Sequence, residues 1–462
     1  MCYLYMRRRV RNDKVTELRL NPFIYYRIYM DKLFLFDTKH KKVYQFNDSA
    51  ADMIDIVGKK PNVLYADFIN RCMEIYDVSQ EQLENDANEF LHMLYSMNIL
   101  SDTDLFEPSV RQEHISDNSH DLGIDVEKNM LMLVGENKIL SKALLELTYK
   151  CNLKCIHCYA IGSHSKCQDM KTEDWFSILD QLSSANVLNI TFTGGEVFCR
   201  DDFLAILDYA IEKRFLVDIY SNGTMISDEQ ISHLAAYWIN SFQVSLYGDT
   251  PDLHDSITGV EGSFNKTLAT LRMFKDYGIS LTIKTIMMNK NADSCAGMKK
   301  IADDLGATFQ IGLSISQANN GDISPTAHRI QSTHKMKNII LERDKELINE
   351  VPPGKDLNES LCGAGFNGIS INPCGWIYIC NAIDIRIGDY QNERIIDVWT
   401  NSSKLHDFRA KRVSDTKKCV KCNYIDYCQF CPGVALQDAG ALTEAYDEAC
   451  FIAKLRYEVL KK

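Results

Sequence analysis

The first clear hydrophobic pattern in the chain lies in residues 23–47, "FIYYRIYMDKLFLFDTKHKKVYQFN". The segment is rich in Tyr, Phe, Ile and Val, and in places its apolar and polar residues alternate with a period of two. Such alternation is typical of strands that bury one face, so we predict two or three short strands here.

Three helical stretches follow these strands, the second being "NVLYADFINRCMEIY". Asp48 or Ser49 can cap the first, and Ser79 with Gln82 has the spacing of a capping box that opens the third. A small sheet followed by three helices predicts a winged-helix-like domain over residues 18–100, with one edge strand free. The third helix carries an apolar stripe that we interpret as core packing: Leu83, Ala87, Phe90, Leu91 and Leu94.

Residues 101–138 are mostly polar and acidic and show no sustained period, which predicts a linker. Residues 139–350 then alternate short apolar runs with helical stretches, which predicts a parallel sheet with right-handed crossovers. Six such units are too few for an eight-stranded barrel, so we expect an α/β fold, a partial (β/α)6 barrel whose functional groups lie at the carboxyl ends of the strands. The six predicted strands are "ALLELT", "VLNITFT", "LVDIYS", "SFQVSLYG", "SLTIKTIMM" and "TFQIGLSIS".

The pattern changes again in residues 351–462, which are rich in cysteine and have few long apolar runs. One hairpin, "GISINPCGWIYIC", is the only regular structure that the pattern predicts there. A segment so poor in apolar core needs another source of stability, and bound metal supplies one.

Charge and composition narrow the possible functions. The formal net charge of −12 argues against a general nucleic-acid binder, because such proteins present clustered Lys and Arg. No apolar run reaches the ~18 residues of a membrane span, and the N-terminus lacks a secretory apolar core. We therefore expect a cytoplasmic protein whose partners include no membrane. In that reducing compartment, the sixteen cysteines point to metal binding or catalysis rather than to disulfides.

The cysteines divide into spaced sets and isolated residues. The spaced cysteines are Cys151, Cys155, Cys158, Cys362, Cys380, Cys419, Cys422, Cys428, Cys431 and Cys450. The isolated ones, which we interpret as small apolar residues, are Cys2, Cys72, Cys167, Cys199, Cys295 and Cys374. The C-x2-C-x5-C-x2-C run fits either a zinc ribbon or an iron–sulfur cluster. Iron is favoured, because the seven C-terminal cysteines exceed one site and a three-cysteine loop suits no structural zinc site.

That loop, "CNLKCIHCY", holds Cys151, Cys155 and Cys158 in the spacing C-x3-C-x2-C. Three thiolates leave one iron of a four-iron cube open to another ligand. The spacing closely resembles the signature of the radical S-adenosylmethionine (SAM) superfamily. This resemblance implies that the open iron of a 4Fe–4S cluster binds SAM, and that a 5′-deoxyadenosyl radical abstracts hydrogen from the substrate.

Two further motifs match this family at the ends of later predicted strands. "TFTGGEVF" resembles its Gly-Gly-Glu motif, which implies that Gly194 and Gly195 let the backbone approach SAM and that Glu196 accepts from the methionyl ammonium. By the same resemblance, the strand ends "YSNGT" and "VSLYG" should contact the ribose or the methionyl end of SAM. The implied contact residues are Ser221, Asn222 and Ser245, with simple turn formation as the alternative for Asn222.

Residues 351–462 resemble the SPASM domain, which binds auxiliary iron–sulfur clusters. The resemblance implies two auxiliary 4Fe–4S clusters, and so three clusters in the protein. One takes Cys419, Cys422, Cys428 and Cys450, and the other takes Cys362, Cys380 and Cys431. The sequence departs from the family pattern in one place, because two residues rather than three separate Cys428 from Cys431.

The second auxiliary set lacks a fourth thiolate. Cys374 is excluded by geometry, because a hairpin turn at residues 373–375 separates it from Cys380 by about 20 Å of strand. Cys199 follows the Gly-Gly-Glu motif and remains an alternative. The favoured hypothesis is an open iron that binds a cysteine thiolate of the substrate and lowers its pKa.

Residues 18–100 resemble the small peptide-recognition element of enzymes that mature ribosomally made peptides. A free sheet edge beside a helix can take up an extended leader peptide as an added strand. A structural appendage and a nucleic-acid-binding wing are the alternatives, and the acidic helices argue against the wing.

Taken together, these resemblances predict a radical SAM/SPASM enzyme that modifies a ribosomally synthesised precursor peptide. Thioether formation between a cysteine sulfur and a carbon is the favoured reaction, while carbon–carbon cross-linking and epimerisation stay open on the same scaffold. Its implied partners are the precursor peptide with its leader and an external low-potential electron donor of the flavodoxin or ferredoxin type. A non-catalytic iron–sulfur electron carrier or peptide-binding protein is the alternative from another class, and the Gly-Gly-Glu motif argues against it.

Overall fold

The structure is a computed structural model that describes residues 17–101, 126–160, 168–348, 350, 352 and 354–461. The chain forms two compact units that divide after Met130. Cys2, Cys167 and residues 102–125 of the predicted linker lie outside the described residues. Within the described ranges, no helix has the length and apolar composition needed to span a bilayer.

The N-terminal unit contains an antiparallel sheet and three helices, as predicted. Its strands are β1 (Glu17–Leu18), β2 (Ile24–Tyr29), β3 (Lys32–Asp37), β4 (Lys42–Asn47) and β5 (Val63–Leu64). Its helices are α1 (Asp48–Gly58), α2 (Tyr65–Ile75) and α3 (Gln80–Ser96). The sheet has the order β2-β3-β4, and β1 pairs with β5 in a separate short ribbon.

The predicted helix boundaries in this unit need two corrections. Helix α1 begins at Asp48, so Asn47 is its N-cap rather than Asp48 or Ser49. The second helix begins only at Tyr65, because Val63 is drawn into a strand by antiparallel pairing with Leu18. One of the two hydrogen bonds of the predicted capping box of α3 is present, since the Ser79 hydroxyl accepts from the backbone amide of Gln82 at 3.3 Å.

The edge strand β4 differs from its neighbours in exposure. Strands β2 and β3 are mostly buried, whereas the residues of β4 are half-buried or exposed. The ring of Phe46 on β4 packs edge-to-face against Phe90 of α3, with 6.3 Å between the ring centroids. Because β4 pairs only with β3 among the described strands, its outer edge is free in this part of the chain.

Part of the predicted linker is helical. Residues Val126–Glu136 form α4, in which Met130 and Val134, one turn apart, are buried. The lack of a sustained period in the sequence did not indicate this helix, because a short apolar run in the acidic context is enough to form one amphipathic helix.

The second unit is built on the six parallel strands that the sequence predicts. They are β6 (Lys142–Glu146), β7 (Asn189–Thr193), β8 (Leu216–Ser221), β9 (Ser241–Ser245), β10 (Leu281–Ile286) and β11 (Thr308–Gly312). The accompanying helices are α5 (Thr172–Ser184), α6 (Phe203–Glu212), α7 (Asp228–Ala235), α8 (Pro251–Thr258), α9 (Ser263–Asp276), α10 (Cys295–Leu305) and α11 (Thr333–Arg343). The strands follow one another in chain order from β6 to β11 and do not close into a ring, which confirms the partial barrel.

The C-terminal hairpin is not separate from this sheet. Strand β12 (Gly368–Ile371) pairs in parallel with β6, and β13 (Trp376–Cys380) and β14 (Ile383–Asp389) continue the sheet in antiparallel fashion. The sheet therefore has nine strands, and buried isoleucines of the hairpin share the core of the barrel. The remaining helices are α12 (Ile395–Asn401), α13 (Ser403–Arg409), α14 (Pro432–Ala439) and α15 (Asp447–Leu460).

The separate core of the N-terminal unit predicts that residues 17–101 fold on their own. Leu33 lies in that core and is 0% exposed, so Leu33→Ala should cost about 2–5 kcal/mol of unfolding free energy or unfold the fragment outright. Ile75→Ala is the matched control, because Ile75 is 52% exposed and its truncation should change stability by no more than about 0.5 kcal/mol. Urea unfolding followed by circular dichroism measures both values, and equal losses in the two variants would contradict an independent core.

Candidate active site and cluster sites

The three-cysteine loop lies at the carboxyl end of β6, where a barrel enzyme places its functional groups. Burial raises the pKa of the Cys151 thiol to about 11, and the neighbouring Cys158 adds to the rise. Burial also raises the pKa of Cys155, to which the charges of Cys158 and Cys151 contribute. The three thiols therefore converge, and bound metal would be required to hold them as thiolates at neutral pH.

The Gly-Gly-Glu turn packs directly against the start of this loop. The Gly195 amide donates to the Thr148 carbonyl at 2.7 Å, and the Glu196 amide donates to the Lys150 carbonyl at 2.9 Å. A Cβ atom on Gly194 would lie 2.3 Å from the Thr148 oxygen, and one on Gly195 would lie 2.3 Å from the Lys150 oxygen. In this structure the two glycines thus allow close backbone packing against the loop, which is a different role from the predicted approach to SAM.

The Glu196 carboxylate joins the ends of two strands. It is 1% exposed, and it accepts hydrogen bonds from the Ser221 hydroxyl at 2.8 Å, the Asn222 amide at 2.7 Å and the Phe198 amide at 3.2 Å. Burial raises the pKa of this carboxyl, while the three hydrogen bonds act in the opposite direction. The structure thus brings three predicted residues together, with Glu196 holding Ser221 and Asn222 in place.

A set of hydrogen bonds connects this strand end back to the cysteine loop. The Asn222 side-chain amide donates to the Asn152 side chain at 2.9 Å and lies 3.8 Å from the Cys151 sulfur. The Asn152 amide in turn donates to the Thr224 hydroxyl at 2.7 Å. Sequence reasoning missed Asn152 and Thr224, although both lie inside the quoted motifs "CNLKC" and "YSNGT".

Ser245, at the end of β9, forms a hydrogen bond with a tyrosine that lies beside the cysteines. Its hydroxyl bonds to the phenol of Tyr247, whose pKa is raised mainly by burial and further by Cys155. The ring of His157, inside the cysteine loop, packs edge-to-face on Tyr247 with 4.5 Å between centroids. Burial lowers the pKa of His157 to about 4, so its imidazole is neutral at physiological pH. These two aromatic side chains therefore lie next to the cysteines, and sequence reasoning missed both.

A buried carboxylate lies between the cysteine loop and the C-terminal hairpin. Glu146, the last residue of β6, accepts from the Tyr159 hydroxyl at 2.7 Å and from the Tyr149 hydroxyl at 3.3 Å. Burial raises the pKa of Glu146 to about 6, and the two tyrosines limit the rise. The Asn381 side chain bonds to the same Tyr159 phenol. Since Tyr159 follows Cys158 and Asn381 follows Cys380, one hydrogen bond links residues adjacent to both cysteine groups.

The seven C-terminal cysteines sort into the two groups that the SPASM resemblance implies. Cys419, Cys422, Cys428 and Cys450 line a common cavity of about 220 Å³. In the other group, burial raises the pKa of Cys380, and Cys431 and Cys362 add to that effect. Four converging thiols around one cavity, and three in a second cluster, fit the donor sets of two iron–sulfur clusters. In the described part of the chain, no three His, Cys, Asp or Glu side chains lie close enough together to hold a single metal ion. The thiolates of a four-iron cube are farther apart, because each one binds a different iron atom.

The isolated cysteines occupy other positions. Cys72 and Cys295 are buried, which confirms their interpretation as small apolar residues. Cys374 is disulfide-bonded, which corrects that interpretation, and it lies at the turn before β13, at the opposite end of the strand from Cys380. Cys199 lies beside the three-cysteine loop, where it adds to the rise in the Cys151 pKa, so its position does not support a role in the C-terminal group.

Comparison with sequence families agrees with this geometry. Residues 145–298 match the family described as the radical SAM superfamily, and residues 362–431 match SPASM, an iron–sulfur cluster-binding domain. The chain therefore carries a radical SAM domain followed by a SPASM domain. This radical SAM enzyme uses SAM and a 4Fe–4S cluster, and its SPASM domain binds auxiliary iron–sulfur clusters.

Individual relatives extend over most of the radical SAM enzyme described here. The antilisterial bacteriocin subtilosin biosynthesis protein AlbA of Bacillus subtilis is 25% identical, over 87% of this chain and 93% of its own length. The mycofactocin maturase MftC of Mycolicibacterium smegmatis is 27% identical, over 62% of this chain and 76% of its own length. Streptococcus suis SuiB, solved with its precursor peptide SuiA, matches with a TM-score of 0.61 at 16% identity, over 94% of this chain and 99% of SuiB. At that identity, SuiB shows a shared fold.

The close backbone contact at Gly195 makes a direct prediction. In Gly195→Ala the added methyl group would meet the Lys150 carbonyl, so the turn must move away from the loop and carry Glu196 with it. We expect SAM affinity to fall about tenfold to a hundredfold, because small displacements of positioning groups have effects of this size.

Gly354→Ala is the control, since a Cβ there meets no atom within 4 Å. Equilibrium dialysis of SAM with the anaerobically reconstituted enzymes measures both affinities. Wild-type affinity in Gly195→Ala would show that the turn and the loop are not coupled through this contact.

Proposed function

We propose that this enzyme modifies a ribosomally synthesised precursor peptide by joining a cysteine sulfur to a carbon atom of another residue. Similarity to a bacteriocin biosynthesis protein over 87% of this chain, and to a mycofactocin maturase over 62% of it, supports a peptide substrate. The fold shared with a protein that binds its precursor peptide, including the N-terminal unit within the matched 94%, is consistent with the same substrate class.

The observation that carries the thioether proposal is the three-cysteine group in the SPASM domain. Cys362, Cys380 and Cys431 come together, while the other described C-terminal free cysteines line the second cavity. Three protein thiolates leave one position of a four-iron cube for an outside ligand. A cysteine thiolate of the substrate fits that position chemically, because metal coordination favours a deprotonated thiol.

The reaction divides between the cofactors and the chain. When bound, SAM and its cluster supply the 5′-deoxyadenosyl radical that removes a hydrogen atom from the substrate carbon. The chain positions the cysteine loop through the Gly194–Glu196 turn and the Asn222–Asn152 hydrogen bond. An external low-potential donor of the flavodoxin or ferredoxin type supplies the reducing electron in this proposal, which places the reaction in the cytoplasm.

The free edge of β4 is the proposed site for the leader of the precursor. An extended peptide can pair with the backbone of β4 as an added strand, and α3 lies beside this edge through the Phe46–Phe90 contact. Leader binding by this unit would raise the local concentration of the core peptide at the barrel without a role in the chemistry itself.

The products of the open alternatives can be distinguished chemically. Thioether formation and carbon–carbon cross-linking both remove two hydrogen atoms from the peptide, whereas epimerisation leaves the mass unchanged. Only the thioether also removes a free thiol. Mass spectrometry of a short precursor peptide that contains cysteine and is co-expressed with the enzyme, with and without iodoacetamide, therefore tests the proposed reaction.

Deletion of residues 1–101 tests the leader site. We expect the truncated enzyme to lose most of its affinity for the precursor, because the free β4 edge is removed. Uncoupled SAM cleavage should remain near the wild-type rate, since the cysteine loop and the Gly-Gly-Glu turn belong to the other unit. Fluorescence anisotropy of the labelled precursor and chromatography of 5′-deoxyadenosine give the two readouts. Precursor binding as tight as that of the intact enzyme would refute the assignment.

The three-cysteine group makes a spectroscopic prediction. Electron paramagnetic resonance of the reduced enzyme should show a changed auxiliary-cluster signal when the precursor is added. A precursor with its cysteines replaced by serine should leave that signal as it was. Cys374→Ala should keep the cluster, because Cys374 lies at the far end of β13 from Cys380. A signal that is indifferent to the precursor, or a cluster lost in Cys374→Ala, would rule out the open position.

A further inference from the structure

One of the two auxiliary cysteine groups lies at the surface of the second unit. Its members are Cys419, Cys422, Cys428 and Cys450, of which Cys450 is exposed and the other three are half-buried. The cavity that they line is also bordered by Lys355 and Lys418. Because these thiols are only partly covered by protein, a partner that binds at this surface can approach them closely.

The segment that supplies three of these cysteines is positively charged. In residues 411–431 the cationic residues are Lys411, Arg412, Lys417, Lys418 and Lys421, and the acidic ones are Asp415 and Asp426. Five positive and two negative charges give this segment a net charge of +3, whereas the whole chain carries −12. The cysteine group therefore lies in a basic region of an acidic protein.

The lysines of this region are available to a partner. Lys417, Lys418 and Lys421 are all exposed. The Lys418 ammonium lies 3.7 Å from Glu444, but the Lys418 side chain is 76% exposed, so this ion pair is weak. We call Lys417, Lys418 and Lys421, together with Lys355, the lysine surface.

Lys355 extends the lysine surface to the edge of the cavity. Its ammonium donates to the Cys428 carbonyl at 3.3 Å, and its backbone amide donates to the Asp426 carboxylate at 2.8 Å. Burial raises the pKa of the Cys428 thiol to about 11, and the positive charge of Lys355 opposes that rise. The lysine surface thus lies directly beside the thiols of this group.

Short links connect this surface group with the other cysteine groups. Cys428 and Cys431, which belong to different auxiliary groups, are three residues apart, so their Cα atoms lie within about 11 Å of each other. Cys380 belongs to the same group as Cys431, and its neighbour Asn381 bonds to Tyr159, which follows the last cysteine of the cysteine loop. Neighbouring groups of the chain therefore lead from the lysine surface to the cysteine loop.

We propose that the lysine surface is the docking site for the acidic, low-potential redox protein that reduces this enzyme. In each encounter the reduced flavin or iron–sulfur centre of the carrier loses one electron, and the adjacent auxiliary cluster gains it. A basic region on an otherwise acidic protein attracts an acidic carrier to this one surface, because the rest of the enzyme repels it. The proposal rests on the external donor of the proposed function but not on its peptide substrate, because SAM cleavage can be followed without peptide.

A pair of charge reversals tests the docking site in the full-length, reconstituted enzyme. Lys417→Glu with Lys421→Glu replaces two positive charges by two negative ones, which changes the net charge of residues 411–431 from +3 to −1 and keeps every cysteine. Lys266→Glu with Lys300→Glu is the matched control, because both residues are exposed and lie on α9 and α10 of the barrel. The probe is a purified acidic flavodoxin with a fluorescent label, and anisotropy at low salt measures its affinity.

We expect the Kd for flavodoxin to rise at least about tenfold in the docking variant and no more than about twofold in the control, because electrostatic attraction changes association by about tenfold or more. Added potassium chloride should weaken binding to the wild type more than to the docking variant, since salt screens exposed charges. With limiting reduced flavodoxin, the docking variant should form 5′-deoxyadenosine more slowly than the wild type. With dithionite, a small reductant that needs no docking site, the two rates should be equal, which a general structural defect would not allow.

Equal flavodoxin affinities in the wild type and the docking variant, or equal losses in both pairs of charge reversals, would overturn the docking site. A docking variant that loses affinity for a labelled precursor peptide but not for flavodoxin would overturn it as well, because the lysine surface would then bind an acidic peptide. An enzyme that cleaves SAM with reduced flavodoxin but modifies no peptide would instead refute the proposed function, and the docking site would stand.

Discussion

The close contact between two backbone segments is the constraint on which the active site depends. The Gly194–Glu196 turn lies on the chain that leads from β6 into the cysteine loop, close enough that neither glycine could carry a side chain. This contact fixes where Glu196 enters the site, and Glu196 then holds the end of β8 through two hydrogen bonds, which it accepts from Ser221 and Asn222. Three consecutive strand ends are thereby locked around the cysteines, so the loop has a defined position before any cofactor binds.

The pairing of β12 with β6 also fixes the auxiliary cysteine sites relative to the cysteine loop. Because β12 continues the barrel sheet, the hairpin that ends in Cys380 is held by main-chain hydrogen bonds to the strand that precedes Cys151. The Tyr159 phenol bonds both to Glu146 on β6 and to Asn381 on the hairpin side. The SPASM domain is thus part of the same rigid sheet as the radical SAM domain, which suits electron exchange between clusters held at fixed positions.

The two compact units of the chain carry different features. The N-terminal unit has its own core and offers a free strand edge, while the second unit contains every cysteine group. In the function proposed above, such a division would allow a common leader to deliver varied core peptides, because recognition and reaction would not share residues.

Periodicity was sufficient to predict most of the local elements, whereas the cluster chemistry followed from the resemblance of the cysteine motifs to the radical SAM and SPASM patterns. The six parallel strands, the helices of the N-terminal unit and the C-x3-C-x2-C loop all follow from patterns within short windows of the sequence. Local patterns carry this information because strand and helix periods, capping and ligand spacing depend on near neighbours along the chain.

Only the tertiary structure decided the contacts between distant segments. The continuation of the barrel sheet by β12, the use of Gly194 and Gly195 for packing against the loop, and the pairing of Tyr159 with Asn381 each join residues far apart in sequence. Such features depend on which side chains and backbones meet in three dimensions, and no pattern along one strand or helix contains that information.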